Sequence, residues 1–215
     1  YVVAAKRLLV GRVSIDLLPG PSEVLVLADG TANPAFAAAD ILAQAEHGSG
    51  HERCWLVSTS AKVVGAVQKE IAKQLPQRSR RNYIRKALAK NGWLIQVASR
   101  AEAIALANRL APEHCEVMLK DAAAAAKQIT TAGALFLGNF SPTVTGDYVA
   151  GPSHTLPTGG AGASFSGLTV DMFQRRTSVV QYTSASLKKS IAAIEQFVGV
   201  EGLDAHGRSA SIRLD

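Results

Sequence analysis

The chain has 215 residues, 47% hydrophobic and 19% charged, a length for one large domain or one and a half small ones and a balance ordinary for a soluble globular α/β protein. No apolar run approaches the ~18 residues of a transmembrane helix, so a membrane partner is set aside. The net charge of +6 invites a nucleic-acid partner, but its cluster (Arg78, Arg80, Arg81, Arg85, Lys86 and Lys90) has only Tyr83 as a nearby aromatic and no binding motif around it, and reads as a solvated helix face.

In chain order, Tyr1–Val10 has a helical pattern from its first residue, the expectation for a piece of a longer polypeptide. Tyr1–Val13 lacks the charged-apolar-small order of a signal peptide. Residues 23–29 read as a buried strand. Asn33-Pro34 then gives an N-cap with proline at the first helical position, and the helix is expected to run to about His47, with Gly48 as its C′ residue. A second strand covers 54–58, followed by a helix over 61–74 and the basic helix. A third strand covers 92–97 and a helix 100–110. Further strands are expected at 116–119 and 134–137, separated by an alanine-rich helix from near Asp121. Alternating strands and helices predict βα units and a largely parallel, Rossmann-like sheet. The stretch from Asn139 to Gly167 holds Pro142, Pro152, Pro157, Gly146, Gly151, Gly159, Gly160 and Gly162; a long irregular loop is expected, and such loops are usually functional or disordered. Helices near 168–175 and over 186–198 follow. The division expected is a Rossmann-like domain over 1–182 and a C-terminal helix with an arm over 183–215. Cys54 and Cys115 lie far apart and form no CxxC, so reduced thiols of a cytoplasmic protein are expected.

Candidate chemistry sits in three places. Gln44 and His47 are three apart at the expected helix end and share a face. That end is expected to point at the crevice beyond the strands where α/β proteins bind ligands, and an oxygen–nitrogen pair there is half of a plausible metal site. Glutamine is an unusual zinc ligand, and spacing alone is weak. Asp147, in Thr145-Gly-Asp-Tyr148, is either an Asx-type turn residue or a hard oxygen ligand delivered by the loop. Glu113-His114 stands at a helix-to-strand junction, where a carboxylate beside an imidazole suits acid–base work near neutral pH. His51 reads as a surface residue.

Taken together, Gly20-Pro-Ser-Glu23, Leu42-Ala-Gln-Ala-Glu-His47, Leu110-Ala-Pro-Glu-His114, Gly146-Asp-Tyr-Val-Ala-Gly-Pro-Ser-His154, Leu156-Pro-Thr-Gly-Gly160 and Arg175-Arg-Thr-Ser178 resemble the motifs of histidinol dehydrogenase. They stand in the family's order, and the resemblance covers essentially the whole chain. It implies the C-terminal half of a zinc enzyme that oxidises L-histidinol to L-histidine, through the aldehyde, with two hydride transfers to NAD. It implies Gln44, His47, Asp147 and His206 as zinc ligands, His114 as general base, and Glu113 as the acid–base residue that activates water in the second oxidation. Ser22, His154 and Glu201 match substrate contacts, as do the base and the four zinc ligands. It further implies a homodimer whose tails cross, so that His206 completes the partner's site. NAD contacts would come largely from the polypeptide before Tyr1. No GxGxxG follows a strand here, and Gly159-Gly160-Ala-Gly162 has neither the spacing nor the acidic partner. Two other readings stay open: a relative oxidising another polar alcohol, such as a sulfonated propanediol, and a module that binds metal without catalysis. Glu201 and His206 suit an imidazole-bearing substrate and favour histidinol over the first of these.

Overall fold

A computed structural model describes residues Tyr1–Asp215. The chain divides into two compact units, Tyr1–Gln174 and Arg175–Asp215.

The first unit begins with helix α1 (Val2–Leu9) and then builds a five-stranded sheet from β1 (Glu23–Ala28), β2 (Arg53–Ser58), β3 (Gly92–Gln96), β4 (His114–Met118) and β5 (Ala134–Leu137). The strand order is β3-β2-β1-β4-β5, and every pairing is parallel. The connecting helices are α2 (Pro34–Ala45), α3 (Ala61–Gln74), α4 (Arg81–Asn91), α5 (Arg100–Leu110) and α6 (Ala122–Ala126). The expected α/β class with a parallel sheet is therefore what the chain forms.

Strand alternation explains the two cores. Val24, Val26 and Ala28 of β1 point to one face, where they pack with Ile41, Val67 and Ile84 from α2, α3 and α4. Leu25 and Leu27 point to the other and meet Val57, Ile104 and Ala107. Every residue of β1 is buried, as expected for a central parallel strand covered on both faces. The basic helix is indeed a solvated one: Ile84 and Ala87 are its only buried residues.

Several boundaries differ from the sequence reading. Helix α2 starts as expected, with Asn33 accepting the Ala35 N–H at 2.9 Å, but it ends at Ala45 with Glu46 as C-cap. His47 is thus past the helix, and Gly48 turns the chain away at φ +90°. Strand β4 starts at His114, two residues before the expected Glu116, because pairing with Val24 and Ala134 reaches that far. The loop after β5 is not wholly irregular. Its middle forms a short helix, α7 (Val144–Tyr148). Residues 168–175 yield only a 3-10 turn over Val170–Phe173, since Pro157 and four glycines crowd the preceding segment and no buried face recruits a longer helix.

The second unit holds α8 (Ser184–Glu201) and α9 (Asp204–Ser211). Thr183 caps α8 by accepting the Ser186 N–H at 3.1 Å, and Gly202 ends it in the left-handed region. The tail expected as an arm after 201 is thus mostly helical. Glu201 closes α8, His206 lies on α9, and both are exposed.

The second core sets a clear expectation. Leu27→Ala, at a fully buried position of the central strand, should lower unfolding free energy by about 2–5 kcal/mol. Urea denaturation with an unchanged m-value would read it; a loss under about 1 kcal/mol would mean that the site collapses around the cavity.

Candidate active site

Parallel order dictates where the polar residues gather. A helix that follows a parallel strand runs back antiparallel to it, so the end of α2 returns to the amino edge of the sheet. The sequence reading placed Gln44 and His47 at the crevice beyond the carboxyl ends; the topology corrects this. They come to the same edge as Glu23 and His114, the first residues of β1 and β4.

At that edge the backbone of Glu23 is clasped by two side chains. Glu113 Oε2 accepts the Glu23 N–H at 2.8 Å, and His114 Nδ1 lies 2.9 Å from the Glu23 carbonyl oxygen. A carbonyl only accepts, so Nδ1 carries the proton and Nε2 is left with a free lone pair. Glu113 Oε2 is also 3.4 Å from His114 Nδ1. His114 is buried, and burial alone would lower its pKa. The Glu113 carboxylate, the Glu23 carbonyl and Asp147 together outweigh it, and the net shift is upward.

His114 Nε2 faces an open cavity of about 540 Å³ with Asp147, His154, Phe136 and Leu168 in its wall. Asp147 Oδ1 is 4.0 Å from His114 Nε2 and 4.0 Å from His154 Nδ1. Phe136 packs its ring 5.9 Å from the His114 ring and leaves no room for a side chain at Gly146, where a Cβ would stand 2.7 Å from it. That close fit fixes the turn that presents Asp147. The loop carrying His154 is tied back to the sheet: Glu23 Oε1 accepts the Gly159 N–H at 3.1 Å, and Thr158 Oγ1 accepts that of Gly20.

A second, smaller cavity of about 240 Å³ is lined by Gln44, His47, Arg80, Thr143 and, again, Asp147. Asp147 therefore stands in the wall of both. His47 Nδ1 lies 2.9 Å from the Gln44 carbonyl oxygen, which sets the same tautomer as in His114 and frees Nε2. A backbone carbonyl behind Nδ1 is the usual support of a metal-binding imidazole. The Gln44 amide lies 3.4 Å from His47 Nδ1; that nitrogen is itself a donor, so the amide oxygen is the end that suits a cation. Arg80 donates to the His47 carbonyl at 3.1 Å and lies over the Tyr83 ring. An amide oxygen, an imidazole nitrogen and a carboxylate oxygen on one small cavity fit a zinc ion, although no three His, Cys, Asp or Glu side chains are clustered closely enough to hold a metal by themselves.

The sequence candidates divide accordingly. Gln44, His47, Glu113, His114, Asp147 and His154 come together at the amino edge. Ser22 precedes β1, its carbonyl accepting the Arg53 N–H, and lines neither cavity. Glu201 and His206 belong to the second unit. Glu23, Phe136 and Arg80 were not singled out as site residues. A carboxylate opening an otherwise apolar strand was the one available signal, for Glu23.

The residues do not fit a dinucleotide. At the carboxyl ends of β1 and β4, where a Rossmann cradle would stand, Asp29 accepts the N–H groups of Thr31 and Lys120 at 2.8 and 2.9 Å. A carboxylate fills the anion position, and a single glycine, Gly30, stands in the turn.

The family model described as histidinol dehydrogenase matches residues 1–214. Proteins named histidinol dehydrogenase from Geobacter sulfurreducens and Gloeobacter violaceus are each 45% identical over 214 residues, all of this chain but 50% and 48% of theirs. A crystal structure of histidinol dehydrogenase from Elizabethkingia anophelis superposes with TM-score 0.93 at 38% identity, covering 100% of this chain and 49% of that one. The chain spans about half the length of the curated relatives it matches.

The His114 environment makes a pH prediction. A pKa raised in the folded state stabilises the fold in full below 6.5, and that contribution is lost as pH climbs through the raised value. The His114 ring should titrate above 6.5 by NMR, and Glu113→Gln should bring the midpoint down. A midpoint at or below 6.5 in the unaltered protein would contradict the clasp.

Proposed function

The chain belongs to the histidinol dehydrogenase family, and from that membership we propose that it carries the acid–base and metal-binding half of an NAD-linked oxidation of L-histidinol to L-histidine by way of the aldehyde. The observation that carries the reading is Asp147. One carboxylate borders both the cavity that His114 faces and the cavity that Gln44 and His47 line.

Gln44, His47 and Asp147 would hold a zinc ion with His206, and the ion would supply a template for the substrate's imidazole and amine nitrogens. His114 is the general base. Its Nε2 lone pair takes the alcohol proton, and the Glu113 carboxylate stabilises the imidazolium that results. In the second oxidation a water adds to the aldehyde carbon, and Glu113 with His114 removes its proton. Keeping the aldehyde in a walled cavity limits its loss to solvent. His154, beside Asp147 on the tethered loop, contacts substrate; family membership gives Ser22 and Glu201 the same role, although neither lines the two cavities. Dinucleotide binding is not assigned to these residues.

His206 sits on a small two-helix unit whose apolar residues, Phe197 and Val200 among them, are exposed. We propose that this unit serves a partner subunit, making a cytoplasmic homodimer with shared sites.

One experiment tests both parts in the full-length protein. His114→Ala should lower histidinol turnover by at least about a hundredfold, the scale for loss of a general base. Refolding that chain together with His206→Ala should restore about a quarter of normal activity. Half the randomly paired dimers are mixed, and one of their two sites is intact. Turnover within tenfold of normal for His114→Ala would remove it as base. Background activity in the mixture would place His206 in its own subunit's site.

A further inference from the structure

We infer that Asp40 and Glu116 share one proton, and that this buried pair is the positioning device holding the Asp147 turn against the Gln44 helix. Asp40 lies on α2, one turn before Gln44. Glu116 lies on β4, two residues after His114 and therefore on the same face of the strand. Both carboxyls are buried, Glu116 wholly so. Glu116 Oε1 accepts the Thr143 N–H at 3.0 Å, and α7 begins at the next residue. Glu116 Oε2 is buried with no partner. Register sets Glu116 beside Val26, on the sheet face that Val26 and Met118 share with Ile41 of α2, and there its carboxyl neighbours that of Asp40.

Two carboxylates cannot hydrogen-bond, so one of them carries a proton. Burial raises both pKa values, and the Asp40 charge raises that of Glu116 further. Glu116, the more deeply buried of the two, carries the proton. Oε1 is already an acceptor, which puts the proton on Oε2, donating to Asp40. The arrangement gives the orphaned oxygen its partner. It also joins the elements that present Gln44, His114 and Asp147. Apolar side chains of similar size would fill the space without anchoring the Thr143 N–H.

The positioning claim rests on the zinc reading above, and the test separates the two. Glu116→Gln keeps the shape: its amide nitrogen donates to Asp40 and its oxygen accepts from Thr143. Glu116→Leu removes both bonds. In the full-length protein, amide hydrogen exchange over Thr143–Tyr148 should rise at least about tenfold in Glu116→Leu and stay within about threefold of normal in Glu116→Gln. Zinc affinity, read by competition with a chromogenic chelator, should fall about ten- to a hundredfold in Glu116→Leu alone. Infrared spectra near neutral pH should show a protonated-carboxyl stretch in the unaltered protein that is missing from Glu116→Gln, a readout that stands even if Glu116→Leu does not fold. Absence of that band in the unaltered protein, equal exchange in all three proteins, or a Glu116→Gln as impaired as Glu116→Leu would overturn the proposal. If exchange and infrared behave as described while the unaltered protein binds no zinc, the zinc reading fails and the shared proton and the anchoring of α7 stand.

Discussion

The backbone of Glu23 presents one N–H and one C=O at the amino end of β1, one residue before the first pairing with β4. Buried backbone groups of this kind must find partners. Here the partners are the side chains of Glu113 and His114. The two residues with acid–base chemistry thus complete the ladder of the central strand, and they cannot move without breaking it. The same contact selects the histidine tautomer, because a carbonyl behind Nδ1 leaves the lone pair on Nε2. Position and protonation follow from one constraint. The Glu23 side chain extends it: buried and raised in pKa chiefly by desolvation, it reaches Arg53 and the Gly159 N–H, and so tethers the loop that holds His154.

From that edge outward the site is assembled by return paths. Helix α2 comes back antiparallel to β1 and delivers Gln44 and His47. The chain leaving β5 forms the single turn of α7 and delivers Asp147 between them and His114. Neither arrival needs a special motif, only right-handed βα connections around a parallel sheet. The opposite edge, where such sheets usually take nucleotides, is closed by Asp29 on the Thr31 and Lys120 amides.

Much of this was legible in sequence. Apolar runs of strand length alternating with amphipathic stretches gave the sheet class, and Asn33-Pro34 gave the start of α2 to the residue. Glu113-His114 and Asp147 stood out by residue type and company. What stayed hidden depended on pairing. The start of β4 at His114 is decided by Val24 and Ala134, which no local pattern announces. The helical turn around Asp147 is too short to carry a period and rests on Glu116 and Phe136, distant in sequence. The edge of the sheet at which the site lies needed the direction of α2 relative to β1, not the composition of either.

The claim on which the account turns is that Asp147 makes one centre of two cavities. Zinc content by elemental analysis, after mild chelation and return of zinc to the full-length protein, tests it most directly. The account predicts stoichiometric zinc in the unaltered protein and less than about a tenth of that in Asp147→Ala, since removing one of few protein ligands opens the site. Zinc content unchanged by Asp147→Ala would contradict it, because the metal would then be held without the residue that joins the two cavities.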